Sequence, residues 1–302
     1  MQNFADRLIT AIERRGHAAC VNLDPVLEKL PAAIRGMAQA NNSESAASAL
    51  SKYGRAVIDA VGPLIPVVKI NSAYFEVYGA AGVAAYAELI GHAHRAGLLV
   101  IGDVKRGDIG HTAEMYAQAY LGGSGDSVAD AITINGYFGE DGIQPFVDAA
   151  ANYGRGVFVL VRTSNPSAGA IQDIGVSDGR KVHELVAAQV TRWNSDPRLL
   201  GTRGYSSIGA VAGTRTQADA ATLRKLMPQC YLLVPGYGAQ GGIAEDFRPY
   251  FNRDGLGAIV AAGRSVIFAY ERPEYQKIPW ERAVETACNE FVRDLGRIRT
   301  AI

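Results

Sequence analysis

Short runs of apolar and β-branched residues alternate with longer stretches of helical periodicity along the whole chain. Eight such runs stand out, at 17–24, 66–71, 98–105, 131–135, 156–163, 208–213, 231–236 and 257–264. Some are almost continuously apolar, as at Val157, Phe158, Val159, Leu160 and Val161. A strand with one buried face alternates apolar and polar residues. A strand buried on both faces, as in a parallel sheet covered by helices, does not. The segments between the runs carry apolar residues three and four apart, with 80–96 and 214–227 as examples. Eight strand-then-helix units without a break in composition predict an α/β fold. The expected form is a (β/α)8 TIM barrel, one domain over residues 1–302. An open doubly wound sheet is the alternative arrangement of the same units.

Four stretches depart from the simple repeat. At the N-terminus, Phe4, Leu8, Ile9 and Ile12 share helical spacing, while Asp6, Arg7, Glu13 and Arg14 interrupt any apolar run. The segment reads as an amphipathic helix over the barrel floor and not as a signal peptide. Residues 41–51 are polar and rich in Ala and Ser, and predict an inserted helix between the first and second strands. Residues 163–179 and 236–245 are longer than the usual connection of about two to six residues. Both follow strand C-termini, where barrel active sites are assembled, so both are lid candidates.

Charge narrows the function classes. Among 302 residues, 30 basic and 30 acidic side chains cancel. A neutral chain has no global field for nucleic acid or an anionic membrane, so any anion site has to be local. No stretch approaches the roughly 18 apolar residues of a membrane span. Cys20, Cys230 and Cys288 are odd in number and far apart, as expected for buried free thiols in a reducing cytoplasm.

Polar groups cluster at the ends of the predicted strands: Asp24 at the first, Lys69 and Asn71 at the second, Asp103 and Lys105 at the third. Two-residue alternation puts Asp103 and Lys105 on one face, and Lys69 comes from the adjacent strand. Asp108 lies beyond the third strand. A buried ion pair is the plain explanation of a single Asp-x-Lys. Two Lys and two Asp in one small pocket are costly to keep without a use for them. A second set gathers at the last two strands. Pro235-Gly-Tyr237-Gly-Ala-Gln240-Gly-Gly242 follows the seventh, and Gly263-Arg264 ends the eighth. Glycines let backbone N–H groups approach a phosphate, and Arg264 adds a charged fork. Thr163-Ser164-Asn165-Pro166 after the fifth strand reads either as a turn or as a recognition loop, since a serine hydroxyl both donates and accepts. His92 and His94 do not share a helix face. No His, Cys and carboxylate set has metal-ligand spacing, so no metal is expected. His111 and Tyr237 receive no role.

The run Asp103-Val-Lys105-Arg-Gly-Asp108-Ile-Gly-His-Thr112 resembles the D-x-K-x-x-D-I-x-x-T signature of the orotidine 5'-phosphate decarboxylases. The resemblance extends from the first strand to the last. It takes in Asp24, Lys69, the Ser-Asn-Pro loop, Pro-Gly-x-Gly-Ala-Gln-Gly-Gly and the final Gly-Arg, in the longer bacterial form of the family. One departure is Ser167, where the family often has Gly. The resemblance implies loss of CO2 from orotidine 5'-phosphate to give UMP, the last step of de novo pyrimidine nucleotide synthesis, with no cofactor. It implies that Lys69, Asp103, Lys105 and Asp108 form the catalytic set. Asp108 would enter with Thr112 from the partner of a homodimer with shared active sites. It further implies ribose contact by Asp24, pyrimidine recognition by Ser164 beside Pro235, and a Gln240 bridge between base and phosphate. Arg264, beside Gly263, would clamp the phosphate.

Three rivals remain open at this level. Magnesium-dependent sugar-phosphate decarboxylases or synthases of the same superfamily share D-x-K-x-x-D. They carry a Glu ligand where this chain has Lys69, and a cation there repels a metal. A class I aldolase would need a neutral Lys69 or Lys105, which the flanking carboxylates oppose. A non-catalytic phosphometabolite-binding barrel has no need of the Asp-Lys-Asp set.

Overall fold

The eight apolar runs become eight parallel strands: β1 (Ala19–Leu23), β2 (Val67–Asn71), β3 (Leu99–Arg106), β4 (Ala131–Asn135), β5 (Gly156–Arg162), β6 (Ser206–Ala212), β7 (Cys230–Pro235) and β8 (Ala258–Ala262). They pair in chain order, and β1 closes on β8 through Ala19 beside Val260 and Cys20 beside Ala261. The (β/α)8 barrel expected from the pattern is the architecture observed. The structure is a computed structural model that describes residues 2–300 other than 124, 126, 215, 239 and 240.

Most strand ends fall within a residue or two of the apolar runs, and the differences at β6 and β8 have local reasons. β6 starts at Ser206, ahead of the run at 208, although Ser206 and Ser207 are polar and buried. The Ser206 N–H donates to the Gln229 carbonyl at 2.8 Å, and its hydroxyl accepts from the Ile208 N–H at 3.0 Å. A polar residue sits in a buried strand when its hydrogen bonds are met on the spot. β8 stops at Ala262 because Gly263 and Arg264 turn away into the short helix Arg264–Ile267.

The N-terminal helix Phe4–Arg15 starts at Asn3, whose side chain accepts from the Ala5 N–H, and stops at Gly16 in the left-handed conformation. Phe4, Leu8, Ile9 and Ile12 are all buried. Phe4 meets Phe158 edge-on, 6.0 Å between centroids. Its ring also occupies the space where a Cβ at Gly156, the first residue of β5, would lie. The helix therefore closes the N-terminal end of the barrel. Between β1 and β2 the chain forms a short helix, Ala32–Arg35, and the long helix Ser43–Val61. The latter packs on Gly79–Arg95 and on the C-terminal helix Trp280–Thr300. Among the described residues no helix is long and apolar enough to cross a membrane.

The third strand is irregular near its C-terminal end. Gly102 of β3 pairs with Ile132 of β4, but Arg106 pairs with Ile134, so β3 carries extra residues between the two pairs. Lys105 lies in that bulge with φ +44°. A bulge re-aims the side chains it contains.

Candidate active site

The open C-terminal end of the barrel holds a cavity of about 170 Å3, lined on one side by Lys69, Asp103 and Lys105. The Lys69 ammonium donates to Asp103 Oδ2, and the Lys105 ammonium donates to Asp103 Oδ1 at 2.5 Å. The same Oδ1 accepts from the Thr133 hydroxyl at 2.9 Å. Thr133 in turn accepts the Lys105 N–H at 3.0 Å, which fixes the backbone at the positive φ. Asp103 is thus a buried carboxylate with a partner on every side. Burial alone would push its pKa up. Lys69 and Lys105 prevail and hold it well below the usual carboxylate range. Lys69, equally buried, is penalised by desolvation, yet Asp103 and then Asp24 raise its pKa above the ordinary lysine value. The two charges are therefore permanent at any ordinary pH.

Lys69 and Lys105 differ in exposure. The Lys69 side chain is 9 % accessible and the Lys105 side chain 48 %. Lys69 is a fixed component of the pocket, while Lys105 presents its remaining N–H donors to the cavity. The opposite wall is apolar, made by Leu160, Val211 and Leu233, which pair in register across β5 to β7, and by Ala261 of β8. Ser164 and Pro235 complete the rim of this cavity and also line a second, larger space beneath the loops after β5 and β7. A planar, largely apolar group with one polar edge fits such a slot.

Asp24 lies just past β1 and faces the same mouth. Its Oδ1 is buried without a hydrogen-bond partner among the described residues. A buried carboxylate oxygen left unpaired is expensive, so this atom is available to a hydrogen-bond donor from outside the chain. A Cβ at Gly263 would stand 3.6 Å from Asp24 Oδ2 and 3.3 Å from the Asn22 side chain, so the β8 turn comes close to both. Arg264 is exposed. Its charge reaches Tyr74, whose phenol pKa is raised first by burial and then by Asp24, against Arg264 and Lys69. Asp24, Lys69, Tyr74 and Arg264 therefore share one electrostatic neighbourhood.

Of the other expected site residues, Asp108 and Thr112 do not line this cavity. Asp108 is half-buried and accepts the Ile109 N–H at 2.8 Å, and Thr112 is exposed on the helix Gly110–Leu121. Gln240 lies outside the described residues. Ser167 accepts from the Asn165 amide at 3.2 Å within the loop after β5. That loop is internally braced. Arg162 at the end of β5 donates to Gln172 and to Asp173, and Gln172 receives the Thr163 N–H at 2.9 Å. Two cavity residues, Asn22 and Thr133, were not singled out from the sequence. Alternation was the available signal, since Asn22 is two before Asp24 and Thr133 two before Asn135. His111, given no role, is exposed and paired with Glu114.

Comparison with known proteins matches this geometry to a family. Residues 41–278 fit the model of the Orotidine 5'-phosphate decarboxylase / HUMPS family. The chain is a member of that family. An orotidine 5'-phosphate decarboxylase of Rhodopirellula baltica is 42 % identical over 295 residues, 95 % of this chain and 97 % of that protein. The structure of Leishmania donovani OMP decarboxylase superposes with a TM-score of 0.76 at 28 % identity and covers both chains fully. A candidate orotidine 5'-phosphate decarboxylase from Streptomyces avermitilis gives 0.82 at 31 % identity, over 100 % of this chain and 97 % of that one. These relatives align over nearly the whole chain, and the Lys69–Asp103–Lys105 cluster sits at the barrel end where barrel enzymes build their sites.

Proposed function

We propose that the protein decarboxylates orotidine 5'-phosphate to UMP and CO2, the final step of de novo pyrimidine nucleotide synthesis. The observation that carries this reading is a fixed carboxylate between two ammonium groups, facing an otherwise apolar slot. The pyrimidine lies in the slot, with Ser164 and Pro235 at its polar edge and the ribose on Asp24, whose free Oδ1 accepts a hydroxyl. The phosphate reaches Arg264 beside Gly263. The C6 carboxylate then points at Asp103 and Lys105.

In the reaction the bond from C6 to the carboxylate breaks. CO2 departs and the electron pair stays on C6. The Lys105 ammonium faces that growing charge in a water-poor pocket and then gives C6 its proton. Asp103 stands closer to the substrate carboxylate than to C6, so its repulsion is relieved in part as CO2 leaves, which lowers the barrier from the ground-state side. Phosphate binding offsets that unfavourable contact, and the long loop after β5 acts as the cover. No cofactor or metal enters the scheme. Lys69, a cation on β2, opposes a metal ion, which disfavours the sugar-phosphate alternative.

Asp108 completes the catalytic set from a second copy, together with Thr112, in a two-fold homodimer. Asp108 does not line its own cavity, and exposed apolar groups adjoin it. Ile109, next in the chain, is 58 % exposed, and Phe138, 41 % exposed, lies against Gly107 just before it. An apolar rim around a residue needed elsewhere is what a shared interface requires. Buried, unpaired Cys20, Cys230 and Cys288 fit a cytoplasmic enzyme.

The test is direct. Purified protein added to orotidylate should remove its ultraviolet absorbance and yield UMP, before and after exhaustive chelation. No loss of absorbance, or a loss that chelation stops and magnesium restores, overturns the assignment.

A further inference from the structure

Tyr237 belongs to the glycine-rich loop after β7, yet its side chain leaves the mouth of the barrel. The hydroxyl donates to Asp294 Oδ2 on the C-terminal helix at 2.7 Å. The ring lies against Phe291 of the same helix, 4.4 Å between centroids. The backbone of Tyr237 is engaged as well. Its carbonyl accepts from the Ser265 hydroxyl at 3.4 Å, and it bridges to Gly242 across the loop. One residue therefore joins the loop after β7, the turn that bears Arg264, and the helix Trp280–Thr300.

Beneath the described residues of the loop there is open space. A cavity of about 400 Å3 separates the loop from the helix, bounded by Tyr237, Gly238, Gly242, Ser265, Glu290 and Phe291. A segment over open space lacks the dense contacts that fix side chains in a core. The two loops themselves approach closely. Gly238 has φ +69°, and a Cβ there would stand 2.9 Å from the Ser265 side chain. Burial and then Asp294 push the Tyr237 phenol pKa up, so it stays a donor throughout the working pH range.

We propose that Tyr237 is a positioning residue for the phosphate end of the site. Its bond to Asp294 sets the height of the loop after β7 and, through Ser265, of the Arg264 turn. This rests on the decarboxylase reading given above. Tyr237 touches no reacting atom. Its effect should appear in affinity for the phosphate-bearing ligand and not in the chemical step.

The test compares wild type with Tyr237→Phe, Asp294→Ala, Asp294→Asn and the double variant Tyr237→Phe/Asp294→Ala. Tyr237→Phe keeps the ring on Phe291 and so should fold. Dissociation constants for UMP and for uridine are read by calorimetry, and KM and kcat from orotidylate turnover. Tyr237→Phe and Asp294→Ala should each weaken UMP and raise KM by roughly five- to tenfold, with kcat and uridine binding held. The double variant should be no worse than either single one. Asp294→Asn, which keeps an acceptor, should stay near wild type. Wild-type UMP affinity in both single variants, equal loss for UMP and uridine, or additive losses would overturn the proposal. If wild type prefers UMP to uridine but does not turn over orotidylate, the decarboxylase reading fails instead and the binding data still decide the role of Tyr237.

Discussion

Asp103 and Asp130 are both buried carboxylates ringed by cations, at opposite ends of the barrel. Asp130, just before β4, accepts from the Arg7 guanidinium, lies 2.9 Å from His94 Nε2 and 3.5 Å from Arg155, and accepts the Val100 N–H at 2.8 Å. Its partners come from the N-terminal helix, the helix Gly79–Arg95 and the edges of β3 and β5, so it ties the closed end together. Asp103 has two ammonium groups and a threonine hydroxyl, and Lys105 beside it is half-exposed to a cavity. The backbone under Lys105 is in a left-handed conformation, whereas no positive φ is found at Asp130. Guanidinium forks and a backbone N–H use up a carboxylate. Ammonium groups on a cavity wall keep donors to spare. On the reading proposed above, the cluster whose hydrogen bonds close on themselves is structural, and the one with a partner facing empty space near the unpaired Asp24 Oδ1 is the reactive one.

The sharpest way to break this comparison is at Lys105. Lys105→Ala should lower kcat by at least about a thousandfold, because on the proposed mechanism it removes both the charge facing C6 and the proton donor. UMP should still bind within about tenfold of wild type, since its phosphate and ribose contacts lie elsewhere. Calorimetry with UMP beside a turnover assay checks both halves. Appreciable turnover by the variant would mean that Asp103 and Lys105 form only a structural pair, like the cluster at the floor.

A second test asks whether the mouth is complete in one chain. Lys105→Ala and Asp108→Ala should each be nearly inactive. Mixed and reassorted in equal amounts, about half the dimers carry one of each, with one site holding both lesions and the other none. About a quarter of wild-type activity should therefore return. Reassortment verified by mass, with activity still at the parental level, would remove Asp108 from the shared site.

The two ends also differ in how openly the sequence announces them. Burial on both faces of a strand writes itself as a continuous apolar run, so the barrel was readable. Charges that end such runs stand out too, which is why Lys69, Asp103 and Lys105 were readable. Asn22 and Thr133 were harder, because a lone polar residue inside an apolar run looks like one that is merely tolerated. The β3 bulge was not readable at all. A left-handed residue is usually glycine, and a lysine there gives no warning. Nor was the link of Tyr237 to Asp294, 57 residues away, a contact that only the folded chain creates. The hub at Asp130 was hidden for the same reason, since Arg7 and His94 come from helices far apart in sequence.

The floor predicts a stability effect with a definite pH dependence. Burial would raise the Asp130 pKa, but His94, Arg7 and the Val100 N–H bring it down to about 2, from 3.8 for the free group. A depressed carboxylate pKa stabilises the fold fully above the unfolded value, and the benefit fades as pH falls through the folded one. Asp130→Asn should therefore cost about 2 kcal/mol at pH 7, with kcat and KM unchanged. The gap in urea midpoint should hold down to about pH 4 and shrink toward pH 2. A gap that is flat with pH, or a change in kcat as large as that at Lys105, would erase the distinction between the two ends.

The smallest effect concerns the strain at Lys105, and it separates backbone from charge. With φ +44°, Lys105 occupies a region in which a side chain costs about 1–2 kcal/mol and glycine costs nothing. Replacing alanine by glycine ordinarily destabilises by about 0.4–1 kcal/mol, through the freedom gained by the unfolded chain. The strain at this site outweighs that cost, so the usual order should invert. Lys105→Gly should be more stable than Lys105→Ala by about 0.5–1 kcal/mol, and both should be inactive. The comparison cancels the loss of the ammonium, because both variants lack it, and Asp103 keeps Lys69 and Thr133 in each. Urea midpoints of the two variants decide the matter. If the alanine variant is the more stable, the chain at 105 relaxes once the lysine is gone, and it is the bond to Asp103, not the bulge in β3, that imposes the left-handed turn.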